Sequence, residues 1–190
     1  MFQVLDTKGE CVGFYRNGEV VYNQLIEELD KTWNYTSILR GKNVQYAQIY
    51  AGGKSLEESC PPELKSEWER VNKKLKAFIN SFIESKVSLK ENCIFDLTPE
   101  RYLKEYYDVK CKICEHVFEK YQKPQEYEFY KRFNELLYDI GMRELQLNKG
   151  WLSEKLWDIQ GKKLWERVNN NQTTLNYNMF GSITGRLTLE

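Results

Sequence analysis

Apolar and polar residues alternate at the start of the chain, through Phe2-Gln3-Val4-Leu5, Cys11-Val12-Gly13-Phe14-Tyr15 and Glu19-Val20-Val21-Tyr22, with Lys8-Gly9 and Asn17-Gly18 between the runs. A period of two places successive side chains on opposite faces of a strand, and Asn-Gly between such runs supplies the two positive-φ residues of a tight hairpin. The pattern predicts a small antiparallel meander. A short helix is expected over Asn23 to Leu29, and residues 31–53 are aromatic without a clear period.

The period then lengthens. After Pro61-Pro62, the residues Leu64, Trp68, Val71, Leu75, Phe78, Ile79 and Phe82 recur at helical spacing with lysines on the other face. Thr98-Pro99-Glu100 reads as an N-cap, a first-turn proline and an early acid, opening a second helix. Its stripe runs through Leu103, Tyr106, Tyr107, Lys110, Ile113, Cys114, Val117 and Tyr121 until Lys123-Pro124 stops it. A third helix carries Phe129, Tyr130, Phe133, Leu136, Leu137 and Ile140 and ends near Gly141; a fourth is expected from about Trp151 to Val168. The polar break Asn169-Asn170-Asn171-Gln172-Thr173-Thr174 precedes strand-like alternation in Leu175-Asn176-Tyr177-Asn178-Met179-Phe180. The fold class expected is α+β: an N-terminal antiparallel β-meander, a mainly helical centre and a C-terminal β-hairpin. The expected divisions are 1–55, 56–168 and 169–190.

Composition narrows the function classes. In 190 residues, 41% are apolar and 29% charged, which suits a folded chain with a real core. Lysine plus arginine (28) equals aspartate plus glutamate (28), so no bulk positive field holds nucleic acid, and any such contact must be local. No run has the apolar length of a membrane span, and Met1-Phe2-Gln3-Val4-Leu5-Asp6 lacks a signal-peptide pattern, so a cytoplasmic location is expected. Five cysteines at irregular spacing fit reduced thiols.

Several motifs tempt and fail. Gly52-Gly53-Lys54-Ser55 resembles the end of a phosphate-binding P-loop, but Gln48 stands where that loop needs its first glycine, so a surface turn is expected. Cys111-Lys112-Ile113-Cys114 has metal-ligand spacing yet lies in a helical stripe with no second cysteine pair, and neither Cys93 nor His116 completes a zinc pattern; buried thiols are expected. Asp6-Thr7-Lys8 departs from the acid pair of a proofreading exonuclease because Lys8 would put a cation where a metal ligand is needed. The second exonuclease pattern matches twice, at Asn92 to Asp96 and at Asn134 to Asp139, which shows how little it specifies.

Tyr177-Asn178-Met179-Phe180-Gly181-Ser182-Ile183-Thr184-Gly185-Arg186-Leu187-Thr188 resembles the segment that opens the palm of family A DNA polymerases, where a Thr-Gly-Arg-Leu core follows a polar, small-residue lead-in. Cys11-Val12-Gly13-Phe14, Gly52-Gly53-Lys54-Ser55-Leu56-Glu57 and Pro99-Glu100-Arg101-Tyr102-Leu103 resemble upstream regions of the phage-type members; Leu189 departs from the pattern, standing where a polar residue is common. The resemblance implies that 56–168 is a helical region including thumb-like helices and 169–190 the start of a palm cut off before its catalytic aspartates, while the meander of 1–55 is either a degenerate exonuclease-like relic or unrelated to one. It implies a full-length DNA-directed DNA polymerase, a nucleotidyltransferase that extends primer–template DNA with dNTPs and uses Mg2+ held outside this chain. No catalytic residue and no metal site fall within these 190 residues on this reading. The implied DNA-binding set is Arg186, Thr184, Gly185 and Ser182. Arg186 would read the minor-groove acceptors that every base pair presents, Gly185 would let the backbone approach the duplex, and Thr184 would hold a primer phosphate. The alternative is a non-catalytic helical interaction or scaffold protein, for which aromatic residues (14%) supply core and partner surface.

Overall fold

A computed structural model describes residues 3–7, 11–22, 29–87, 92, 94–141, 158–170, 177–181 and 187–189. The meander forms as the alternation requires. Strands β1 (Gln3–Thr7), β2 (Cys11–Arg16) and β3 (Glu19–Tyr22) pair antiparallel in the order β1-β2-β3. Arg16 faces Glu19 across a two-residue loop in which Asn17 (φ 48°) and Gly18 (φ 87°) both take left-handed backbone. That geometry matches the right-handed twist of the flanking strands, and Asn and Gly reach it at least cost.

Residues 31–53, where no period is visible, form short elements. Strand β4 (Lys31–Thr32) runs parallel to β5 (Gln45–Tyr46), with a 3-10 turn at Ser37–Leu39 between them and helix α1 (Ala47–Tyr50) directly after. This segment is densely buried: Trp33, Tyr35, Leu39, Val44, Tyr46, Ala47, Ile49 and Ala51 all lie in the core. Helix α2 (Leu56–Ser59) starts on a capping box, in which Ser55 Oγ accepts from the Glu58 amide (3.2 Å) and Glu58 Oε2 accepts from the Ser55 amide (2.8 Å).

Helix α3 (Pro62–Glu84) places Pro62 in its first turn, where a missing N–H costs nothing. A short helix α4 (Ile94–Leu97), unforeseen in the sequence, precedes α5 (Glu100–Lys120). Helix α5 begins one residue later than Thr98-Pro99-Glu100 suggests. Pro99 is itself the N-cap, with extended backbone (ψ 132°) and no side-chain cap, and its carbonyl accepts from the amides of Tyr102 (2.9 Å) and Leu103 (3.2 Å).

Helix α5 is the hub of the core, which explains its nearly continuous apolar stripe. Tyr102, Leu103, Tyr107 and Cys111 pack with Tyr15 of the meander; Cys114 and Val117 pack with Trp33, Ala47 and Ala51; Val109 and Ile113 pack with Trp68 and Val71 of α3. Hydrogen bonds fix these faces. Tyr102 Oη donates to the Val71 carbonyl at 2.7 Å, and the Tyr46 amide donates to Tyr127 Oη at 2.9 Å.

Helix α6 (Tyr127–Gly141) and helix α7 (Ile159–Asn170) follow, then strands β6 (Tyr177–Asn178) and β7 (Thr188–Leu189), which pair antiparallel. The α+β class and the C-terminal hairpin are therefore present. The expected helix at Asn23 to Leu29 falls, through residue 28, outside the described residues, as does the first half of the helix expected from Trp151. The described part of that helix runs from Ile159 to Asn170, two residues past Val168. By contact density the chain forms two compact units, Met1–Glu135 and Leu136–Glu190, with the division falling inside α6.

Candidate nucleic-acid interface

The segment from Tyr177 to Leu189 begins and ends in paired strands. Tyr177 faces Leu189 and Asn178 faces Thr188, so the paired strands bracket residues 179–187. The Asn178 side chain accepts from the Phe180 amide (2.9 Å), a local turn that Asn favours because its carboxamide mimics a backbone carbonyl. Gly181 is exposed, and Leu187 has 43% of its surface exposed. Ser182, Thr184, Gly185 and Arg186 lie outside the described residues.

A second arrangement was missed in the sequence. An open cleft of about 680 Å³ lies where α3 meets the start of α5, lined by Arg70, Lys74, Pro99, Arg101, Tyr102 and Glu105. Three of these side chains are cationic and one is anionic. Glu105 joins the helices: it accepts from Arg70 at 2.5 Å and from Lys74 at 3.2 Å, and these two partners, Arg70 first, hold its carboxyl below the usual range. The Tyr102 hydroxyl, anchored on α3, fixes one wall. Pro99, the N-cap of α5 without a side-chain cap, also lines the cleft. The lining carries an excess of positive charge, with Arg70 and Lys74 sharing Glu105 and Arg101 beside them. Each half was visible in the sequence as an i, i+4 pair, Arg70 with Lys74 and Arg101 with Glu105. What single-helix periodicity does not encode is which edge of α3 meets the start of α5.

The amides of Gly52, Gly53 and Lys54 donate to the carbonyls of Ile49 (3.1 Å), Gln48 (2.9 Å) and Ala51 (3.4 Å), closing α1, so they are not presented to a phosphate. Lys54 Nζ instead reaches Tyr121 Oη (3.3 Å) at the end of α5. Cys111 and Cys114 are buried thiols on α5, and burial pushes the Cys111 thiol up to about 12. Among the described residues no His, Cys, Asp and Glu cluster is arranged to hold a metal, and no helix is long and apolar enough to cross a membrane. Asp6 lies on β1, while Lys8 and Cys93 are outside the described residues; Asn134 and Asp139 lie on α6. Comparison with known protein families, with curated proteins and with solved structures finds no match to this chain.

Proposed function

We propose that this chain is the N-terminal part of a DNA-directed DNA polymerase of family A type, carrying thumb-like helices and the opening edge of a palm. The observation that carries the proposal is the Thr184-Gly185-Arg186-Leu187 core, bracketed by the β6–β7 pairing and following a helical region. The Arg70, Lys74 and Arg101 cleft adds a local cationic surface to a chain whose overall charge is balanced. On this reading the chain positions DNA and has no catalytic step of its own. The two Mg2+ ions of nucleotidyl transfer belong to palm carboxylates beyond Glu190, and the whole protein works on primer–template DNA and dNTPs in the cytoplasm of its host.

Salt-dependent binding tests the part of this reading that residues 1–190 can report. A primer–template duplex should bind with a log K against log salt slope that becomes shallower by about 2–3 when Arg70, Lys74 and Arg101 are all changed to alanine, because each neutralised phosphate contributes about 0.9 to the slope. An unchanged slope would remove the cleft from the DNA path. A second reading, a non-catalytic helical interaction protein, is favoured by the exposed apolar residues Phe129, Leu136 and Ile140 on α6.

A further inference from the structure

The cleft between α3 and α5 is organised around one carboxylate. Glu105 reaches from α5 across to α3, where its Oε1 accepts from Arg70 at 2.5 Å and its Oε2 from Lys74 at 3.2 Å. Arg101, one turn earlier on α5, lines the same cleft and pairs with no carboxylate among the described residues. The fold sets the spacing of these cations. Tyr102, next to Arg101, donates its hydroxyl to the carbonyl of Val71, next to Arg70, so the two helices are tied together at the cleft wall.

Donors remain for a ligand. A guanidinium carries five N–H groups and an ammonium three, and Glu105 has only two oxygens to share between Arg70 and Lys74. The nearby acids are otherwise engaged or stand apart: Glu100 pairs with Lys104 at 2.9 Å, and Glu67, 4.0 Å from Arg70, lies outside the lining and also faces Lys112. Three cations against one anion leave the lining with two positive charges in excess. A phosphate diester would neutralise one of them. A phosphate monoester, with a charge of about −1.5 to −2 at neutral pH and three free oxygens, matches both the excess and the number of cations.

We propose that this cleft is a seat for a phosphate monoester, held by Arg101 and by the remaining N–H groups of Arg70 and Lys74, with Glu105 as the positioning residue that fixes those two. The cleft volume of about 680 Å³ leaves room for the group that carries the phosphate. The same chemistry is found on the phosphorylated end of a nucleic-acid strand and on a free small phosphate ester. Only the strand as a source rests on the DNA-binding reading.

NMR titration of the 190-residue chain with methyl phosphate and with dimethyl phosphate, in low salt, tests the seat. Near pH 7.5 the wild type should bind the monoester at least about tenfold more tightly than the diester, because the second charge adds its own attraction to the cations. Near pH 5 the monoester has taken up a proton while Arg70, Lys74 and Arg101 stay cationic and Glu105, held below the usual carboxylate range by Arg70 and Lys74, stays anionic, so the preference should fall to within about threefold. Arg101→Ala should weaken methyl phosphate about tenfold and leave the circular dichroism spectrum unchanged, since the side chain is exposed, and Arg101→Lys should recover part of the loss. A short single strand with a 5′-phosphate that binds about tenfold more tightly than its 5′-hydroxyl counterpart identifies a strand end as the source; equal binding of the two strands, with the methyl phosphate preference kept, identifies a free ester. No binding of methyl phosphate, equal affinity for monoester and diester near pH 7.5, or an Arg101→Ala chain that binds like wild type overturns the proposal. The duplex salt slope reads diester contacts, so a normal slope without a monoester preference would remove the seat and keep the DNA-binding reading.

Discussion

Two tyrosine hydroxyls hold the core across long sequence separations, and removing them should have unequal costs. Tyr127 Oη accepts from the Tyr46 amide at 2.9 Å in a site where Tyr127 is 2% and Tyr46 0% exposed. In Tyr127→Phe the ring and its edge contact with Tyr50 (5.4 Å) remain, but a buried N–H is left without its acceptor. An unsatisfied buried donor costs about 1–3 kcal/mol. Tyr102 Oη is also buried, but it donates to the Val71 carbonyl in the middle of α3, which already accepts from the amide four residues on. Tyr102→Phe therefore removes one bond and strands no backbone group, for about 0.5–1.5 kcal/mol. At about 2–4 °C per kcal/mol for a chain of this size, Tyr127→Phe should lower the Tm by roughly 2–12 °C and Tyr102→Phe by roughly 1–6 °C. Urea unfolding followed by far-UV circular dichroism gives both values on one scale. A Tyr127→Phe loss equal to or smaller than that of Tyr102→Phe would refute the reasoning.

Burial pushes Tyr15, Tyr106 and Tyr127 up to about 12 and shifts Tyr46 and Tyr102 in the same direction, so these neutral phenols stabilise the fold fully below pH 10, and that stability is lost as pH rises from 10 toward 12. An alkaline titration should show tyrosinate absorbance at 295 nm and loss of helical ellipticity rising together over that range; full ionisation with the helix signal intact would contradict this. Cys111, buried with its thiol pushed up, should resist iodoacetamide in the native protein while half-buried Cys60 is labelled first; mass spectrometry of the two peptides decides the order, and equal labelling would show that α5 opens readily.

The sequence was most legible where a pattern is long or a turn demands particular residues. Asn17-Gly18 fixed the hairpin because few residues tolerate its backbone, and the recurrence from Leu64 to Phe82 ran long enough to show its period. Residues 31–53 were illegible for the opposite reason. Trp33, just after the two-residue β4, and Tyr46, in the two-residue β5, are buried through tertiary contacts, Trp33 with Cys114 and Val117 of α5 and Tyr46 with Tyr127 of α6. Thr98 misled by one position because proline's fixed φ suits both the cap and the first turn, and only its extended ψ shows which place it takes. Of the candidate site, the segment around Arg186 was found by resemblance alone. The cleft of Arg70, Lys74 and Arg101 could not be found from sequence, since its parts stand about thirty residues apart and meet only through the packing of α3 on α5.

Primer extension by the protein translated from the complete reading frame around this chain is the most direct measurement of the central claim. With Mg2+, dNTPs and a matched primer–template, the wild type should extend the primer, and Arg186→Ala should lose about 1.5–3 kcal/mol of a charge-assisted contact, a roughly 10- to 150-fold fall in efficiency. Arg186→Lys should recover only part of it, because an ammonium keeps the charge without the planar fork. The penalty should shrink on a primer ending in a 3-deaza-purine, which lacks the minor-groove nitrogen. An equal penalty on natural and 3-deaza termini would contradict the role given to Arg186, and no extension by the wild type would contradict the polymerase reading itself.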